Sequence, residues 1–167
     1  MFDADTKAVC FTGHRIIGAD FDEEMLDGYL NRLVDINYTI FICGGALGFD
    51  TLVAEKIIKL KKDNPQIKLY IYAPCRDQDK KWSFSDRRRY KKILDNADVI
   101  NVMAEKYYDG CMRVRNYKMV DDARLCICYL NNTVRSGTAQ TVRYAQKTKK
   151  PVINVSSYGK EVLDELL

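Results

Sequence analysis

Histidine is almost missing: His14 is the one copy among 167 residues. That leaves little for a Cys/His zinc centre, and no CxxC pair makes up for it. His14 has no obvious serine or cysteine partner in sequence, so a nucleophile–base triad has nothing to rest on. No apolar run comes near the ~20 residues that a membrane-spanning helix needs. The opening residues, MFDADTKAVCF, lack a basic start and a long apolar stretch, so a secretory leader is not expected and a cytoplasmic protein is. Internal repeats, low-complexity stretches and linkers are also lacking, so residues 1–167 read as a single domain.

What is present is ordinary for a globular chain: 47% apolar residues, 30% charged, net charge +4. The six cysteines, Cys10, Cys43, Cys75, Cys111, Cys126 and Cys128, mostly lie in or beside apolar runs. They read as small core residues of a reduced compartment. The positive charge is clustered at Lys59–Lys62, Arg87–Lys92 and Lys147–Lys150. Such clusters are either solvated helix faces or an attractive field for anionic ligands.

Short apolar runs alternate with longer helical patterns. AVCFT (8–12), TIFIC (39–43), KLYIYA (68–73), DVINVM (98–103), RLCICYL (124–130) and PVINVS (151–156) read as strands. They are mostly continuous rather than alternating, as in parallel strands buried on both faces. Helices are expected at 21–35, 48–62, 85–97, 112–122 and 138–149, with GKEVLDELL as a short last one. The first should present Phe21, Met25, Tyr29 and Leu33 on one face; the second Phe49, Leu52, Val53, Ile57 and Leu60. The order predicts an α/β fold: Rossmann-like, doubly wound, with a mostly parallel sheet of about six strands and helices on both faces. Right-handed crossovers then gather every strand's carboxyl end on one edge, where ligands of such folds bind.

The turns after the strands carry the chemistry. TGHR (12–15) offers Thr12, Gly13, His14 and Arg15, and Arg15 suits bidentate phosphate binding. GGALGFD (44–50) offers Gly44, Gly45, Gly48 and Asp50 at a helix start. Glycines there permit positive φ and close backbone approach, the helix N-terminus attracts anions, and Asp50 could cap the helix. The spacing is neither that of a P-loop nor GxGxxG, so a tight turn and a phosphate cradle are both open. Ser136, Gly137 and Thr138 open a later helix, as a cap or as a phosphate contact. Trp82 could stack on a base or cover apolar surface. Arg115 shares a helix face with Met119 and is expected near the sheet edge. Exposed Tyr107 and Tyr108 hint at an interface between copies.

Together, TGHR, GGALGFD, the RNxxMVD helix and the SGT start resemble the SLOG superfamily, which includes the DprA/Smf proteins, the LOG phosphoribohydrolases and the YpsA-like proteins. The resemblance spans nearly the whole chain and is strongest to the YpsA-like branch. It implies a Rossmann-like domain that binds a nucleotide, or an ADP-ribose- or NAD-like ligand, as a sensor or regulatory protein. The implied site is Gly13, Arg15, Gly44, Gly45, Gly48, Asp50, Ser136, Gly137 and Thr138, to which Thr12, His14, Trp82, Arg115, Asn116 and Arg135 are added as expected ligand contacts. The LOG pattern MxxRxxxM is matched by Met112, Arg115 and Met119. Of PGGxGTxxE only Gly137 and Thr138 remain; Thr133, Val134 and Arg135 replace the PGG, and Thr141 replaces the catalytic glutamate. A threonine supplies no carboxylate for an oxocarbenium-like centre. Two alternatives stand beside binding. One is an N-glycosidic hydrolase using Asp50, Asp121 or Asp122. The other is a single-stranded DNA-binding module like DprA. A homo-oligomer is expected; a membrane partner is not.

Overall fold

In the computed structural model, which describes residues 2, 3 and 5–166, six strands and six helices alternate without exception. They are β1 (Ala8–Gly13), α1 (Glu23–Asp35), β2 (Ile40–Cys43), α2 (Phe49–Asp63), β3 (Lys68–Ala73), α3 (Phe84–Asn96), β4 (Val99–Val102), α4 (Cys111–Asp122), β5 (Leu125–Tyr129), α5 (Gly137–Lys147), β6 (Val152–Asn154) and α6 (Gly159–Leu166). Each expected element is present, with ends moved by one or two residues. The sheet is wholly parallel, in the order β4-β3-β2-β1-β5-β6.

The strand sequences explain the two layers. Successive side chains of a strand point to opposite faces. Val9 and Phe11 of β1, Phe41 of β2, Leu69 and Ile71 of β3 and Ile127 of β5 therefore meet α1, α2 and α3 on one face. Ala8, Cys10, Ile40, Ile42 and Cys126 meet Met119 and Val120 of α4 and Ala145 of α5 on the other. α6 packs beside α5 through Val162 and Leu166. All six cysteines are buried and unpaired.

Two expectations need correction. α1 buries Leu26, Leu30 and Leu33, while Met25 and Tyr29 only flank the core. The Phe21-Met25-Tyr29-Leu33 row follows one ridge, but the apolar stripe is centred beside it. β4 is not buried on both faces. It is the sheet's edge, and Val99 and Ile100 are 40% and 44% exposed.

Caps fix the helix starts. Asp22 accepts from Met25 N (2.8 Å), Ser83 from Asp86 N (3.1 Å) and Ser136 from Ala139 N (3.1 Å). The strand order reverses beside β1: the chain runs out to β4, then returns to place β5 on β1's other side. The carboxyl ends of β1 and β5 thus flank the topological switch point.

Candidate functional site

The loop from β2 to α2 is built on left-handed glycines. Gly45 has φ 66° and Gly48 φ 82°. Gly48 is the N-cap of α2 and supplies no side-chain cap. A Cβ on Gly48 would overlap the backbone of Arg15, and one on Gly13 would overlap the ring of Phe49. Phe49 N donates to the carbonyl of His14 (3.1 Å). The TGHR and GGALGFD turns are therefore packed directly on one another.

Beneath them two ionisable side chains, Asp50 and Arg115, are buried. Asp50, 6% exposed, accepts from Ala46 N (3.3 Å). It braces the loop from inside rather than capping α2 at the N-cap position. Burial pushes its carboxyl up to about 6, against the pull of Arg115 and of the loop's N–H groups. Arg115, 4% exposed, reaches in from α4. Its Nη1 donates to the carbonyls of Gly44 and of Tyr72 (3.0 Å to the latter), and its Nε to Oδ1 of Asn116 (2.6 Å). Burial lowers its affinity for the proton, and Asp50 raises it again. The sequence places Arg115 at the edge as a ligand contact; the structure places it under the glycine loop, with Asn116 orienting its guanidinium.

Outside the loop a cleft of about 620 Å³ opens, lined by Arg15, Leu47, Gln78, Trp82, Tyr107 and Met112 among others. Trp82 is half-buried, and its ring meets Tyr90 edge-on at 5.2 Å. Gln78 has no counterpart in the sequence reading. It is 8% exposed, and its Nε2 donates to Tyr90 OH (3.0 Å) and to the Gly45 carbonyl (3.4 Å). Its Oε1 is buried without a hydrogen-bond partner among the described residues. Within PCRDQDKKW the only advance signal was the loop's position after a strand.

At the switch point, His14 joins two loops. Its N–H donates to the carbonyl of Tyr129 (3.3 Å), and its Nε2 accepts from Asn131 N (3.4 Å). Burial holds its pKa below the usual imidazole range, with Asp20 opposing, so the neutral ring serves as an acceptor. Asp20 collects Tyr129 OH (2.8 Å), Ser156 Oγ (2.8 Å) and Asn131 Nδ2 (3.3 Å). Burial would raise its pKa, yet these bonds hold it below the usual range. A shallower hollow of about 350 Å³ is lined by His14, Arg15, Ile16, Gly18, Asn131 and Asn132.

The SGT turn stands apart. Ser136 uses its hydroxyl to cap α5, Thr138 is buried, and Thr141 donates to the Gly137 carbonyl (2.7 Å) inside the helix. Arg135 lines a separate groove beside Tyr117. Thr12 is buried at the end of β1. The structure thus brings Gly13, Arg15, Gly44, Gly45, Gly48, Asp50 and Arg115 together and sets Trp82 across the cleft from Arg15. Arg135 lines the groove beside Tyr117, and Ser136 to Thr138 open α5 after the carboxyl end of β5. Among the described residues, no cluster of histidine, cysteine or carboxylate side chains is placed to hold a metal. Among the described residues, no helix is long and apolar enough to cross a membrane.

The fold has counterparts. DNA processing protein A (DprA) of Helicobacter pylori, described for its single-stranded DNA binding mode, superposes with a TM-score of 0.64 at 19% identity, over 95% of this chain and 72% of that one. The DprA of Streptococcus pneumoniae gives 0.59 at 16% identity, over 89% of this chain and half of that one. At such identities the likeness is one of fold. In sequence, the prophage-derived protein YoqJ of Bacillus subtilis is 36% identical over 120 residues, 65% of this chain and 70% of that protein. A UPF0398 protein of Halalkalibacterium halodurans is 28% identical over 102 residues, and the match spans only 54% of it. The family model for YpsA, described as the YspA SLOG family, matches residues 18–158. With more than half the chain matched, glycine loop included, this protein belongs to the YpsA branch of the SLOG superfamily.

Proposed function

We propose that the carboxyl edge of the sheet binds a nucleotide or a nucleotide-derived ligand of ADP-ribose or NAD type, and that the protein acts as a sensor or regulator. The observation that carries this reading is the joint placement of Gly45, Gly48 and the α2 N-terminus beside exposed Arg15, at the mouth of the Trp82 cleft. The positive end of a helix dipole beside an arginine is suited to phosphate. A cleft of about 620 Å³ falls in the range of small-molecule sites, and Trp82 offers an aromatic surface for a base.

Binding is favoured over glycosidic cleavage. Thr141 is buried, with its hydroxyl committed to the α5 backbone. Asp50 has a pKa in the range useful for proton transfer, but it is buried beneath the loop and accepts from Ala46 N. Asp122 is held by Lys118 and Tyr72, and Asp121 by Tyr144. Of the three carboxylates of the hydrolase reading, Asp50 is buried, and Asp121 and Asp122 end α4, at the opposite side of the sheet from its carboxyl edge.

The test is a thermal-shift series with AMP, NAD and ADP-ribose. A ligand at 100 times its Kd should add ~2.7 kcal/mol of stability, and the shift should vanish in Arg15→Ala. If none of the three stabilises the wild type, the reading fails. Release of free base from any of them, above a heat-killed control, would restore the hydrolase.

A further inference from the structure

Buried polar atoms nearly always have a hydrogen-bond partner. Among the described residues, one side-chain atom breaks that rule, Oε1 of Gln78. The residue is 8% exposed and lies in the loop between β3 and α3, shortly before Trp82. Its amide is fixed by the other arm. Nε2 donates to Tyr90 OH (3.0 Å) and to the carbonyl of Gly45 (3.4 Å). A carbonyl only accepts, so the amide nitrogen must face Gly45; a flipped amide would set oxygen against oxygen there. Oε1 is therefore held on the arm turned away from both partners, and an amide oxygen can only accept. An acceptor left dry and unpaired carries a cost that a suitable donor would relieve.

Its position narrows the choice of donor. Gln78 forms part of the wall of the 620 Å³ cleft, together with Arg15 and Trp82. The Trp82 ring meets Tyr90 at 5.2 Å, and Tyr90 OH holds Gln78, so the unpaired acceptor is one side chain removed from the aromatic surface. Arg15 and the glycine loop suit the phosphate end of a ligand, and phosphate oxygens accept rather than donate. What is left to face Oε1 is the ring that Trp82 would stack. The exocyclic amine of a base such as adenine is a donor on the edge of that ring.

Resting on the nucleotide reading above, we infer that Gln78 selects the base: its Oε1 accepts a hydrogen bond from the exocyclic amine of an adenine-type base stacked on Trp82. Oε1 is covered in the free protein, so the contact forms with a side-chain rotation of the cleft wall, of the kind common on binding. A donor arriving there displaces no water from the acceptor, so more of the hydrogen bond counts toward affinity than for an exposed pair. Through Nε2 the same side chain braces the Gly45 carbonyl, so the group that reads the base and the loop offered to the phosphate share one anchor.

The experiment is calorimetric titration of the protein with AMP and with purine riboside 5′-monophosphate, which keeps the ring, ribose and phosphate but lacks the amine. The wild type should bind AMP about 10- to 100-fold more tightly. Gln78→Met, similar in length and without an acceptor oxygen, should bind the two within about threefold of each other, through a loss confined to AMP. Tyr90→Phe disturbs the same amide from its other side but leaves Oε1, and should keep the preference. A merely structural role for Gln78 would weaken both nucleotides together and leave their ratio alone. Melting curves establish that both variants are folded, and the wild-type comparison needs no variant. Equal affinity of the wild type for the two nucleotides overturns the inference and leaves the nucleotide reading standing. So does a preference that survives in Gln78→Met or is lost in Tyr90→Phe. If neither nucleotide binds the wild type, the reading fails and the inference falls with it.

Discussion

Arg115 and Gly44 are 71 residues apart in sequence, yet the guanidinium of one donates to the carbonyl of the other in the protein interior. The same Nη1 also holds the Tyr72 carbonyl, so one side chain of α4 ties together the ends of β2 and β3. Breaking a buried charged contact on one side leaves the rest uncompensated, at a typical cost of about 3–5 kcal/mol. Arg115→Met should therefore destabilise by about 3 kcal/mol or more, measured as a lower urea midpoint. Asp50→Asn added to it should restore part of the loss, because the second change removes the stranded carboxylate.

Asp50 makes a pH prediction whose sign is unusual for a carboxylate. Its folded pKa is raised to about 6, above the ~3.9 of an unfolded aspartate. Between these values the native state binds the extra proton, so this residue stabilises the fold at low pH and loses that contribution as pH rises from about 4 to about 6. The full difference is roughly 3 kcal/mol. Urea titrations of wild type and Asp50→Asn across that window should show the variant gaining relative stability as pH rises. A constant gap would contradict the assignment.

Glycines give a contrast that needs no ligand. Gly48→Ala places a Cβ on the Arg15 backbone at φ 82°, with no room and an unfavourable conformation. It should cost at least about 2 kcal/mol and disorder the TGHR turn. Gly28, inside α1, meets nothing within 4 Å of an added Cβ. Gly28→Ala should raise stability by about 0.5–1 kcal/mol. Thermal melts of the two variants side by side check both signs.

Trp82 is the single tryptophan, so intrinsic emission reports on its cleft alone. If a base stacks there, AMP or NAD should quench that emission saturably. Trp82→Phe should retain most of the nucleotide's thermal shift, and Trp82→Ala should lose roughly 1–3 kcal/mol of binding. Quenching that is linear in nucleotide up to millimolar levels would mean no complex at this position.

The elements were legible because each apolar run and each helical period agrees with its own local signals, such as Asp22, Ser83 and Ser136 at helix starts. The edge position of β4 was not legible, since VINV has the same composition as an interior strand and only the crossover order decides which strand is last. The glycine loop and Arg15 were readable from their place after strands. The inward direction of Arg115 was not, because spacing on a helix gives a face and not what that face meets. Gln78 left no trace in sequence: its burial depends on Tyr90 and on the Gly45 carbonyl, both distant along the chain. The SGT turn was readable as a cap or a phosphate contact and no further, as both use the same residue types; Ser136 is the cap.

All six thiols are shut inside the native protein. Cys10, Cys43, Cys126 and Cys128 sit in the central strands, whereas Cys75 and Cys111 belong to the edge loop and the start of α4. A thiol that solvent cannot reach reacts with an alkylating reagent only when its surroundings open. The cysteines thus form a built-in set of clocks at known depths. Under native conditions, the rate at which Cys75 and Cys111 are alkylated measures how often the cleft wall opens, and the rates at the strand cysteines measure opening of the sheet itself. A ligand that slows the first pair and leaves the rest unchanged would be closing the edge without stiffening the core.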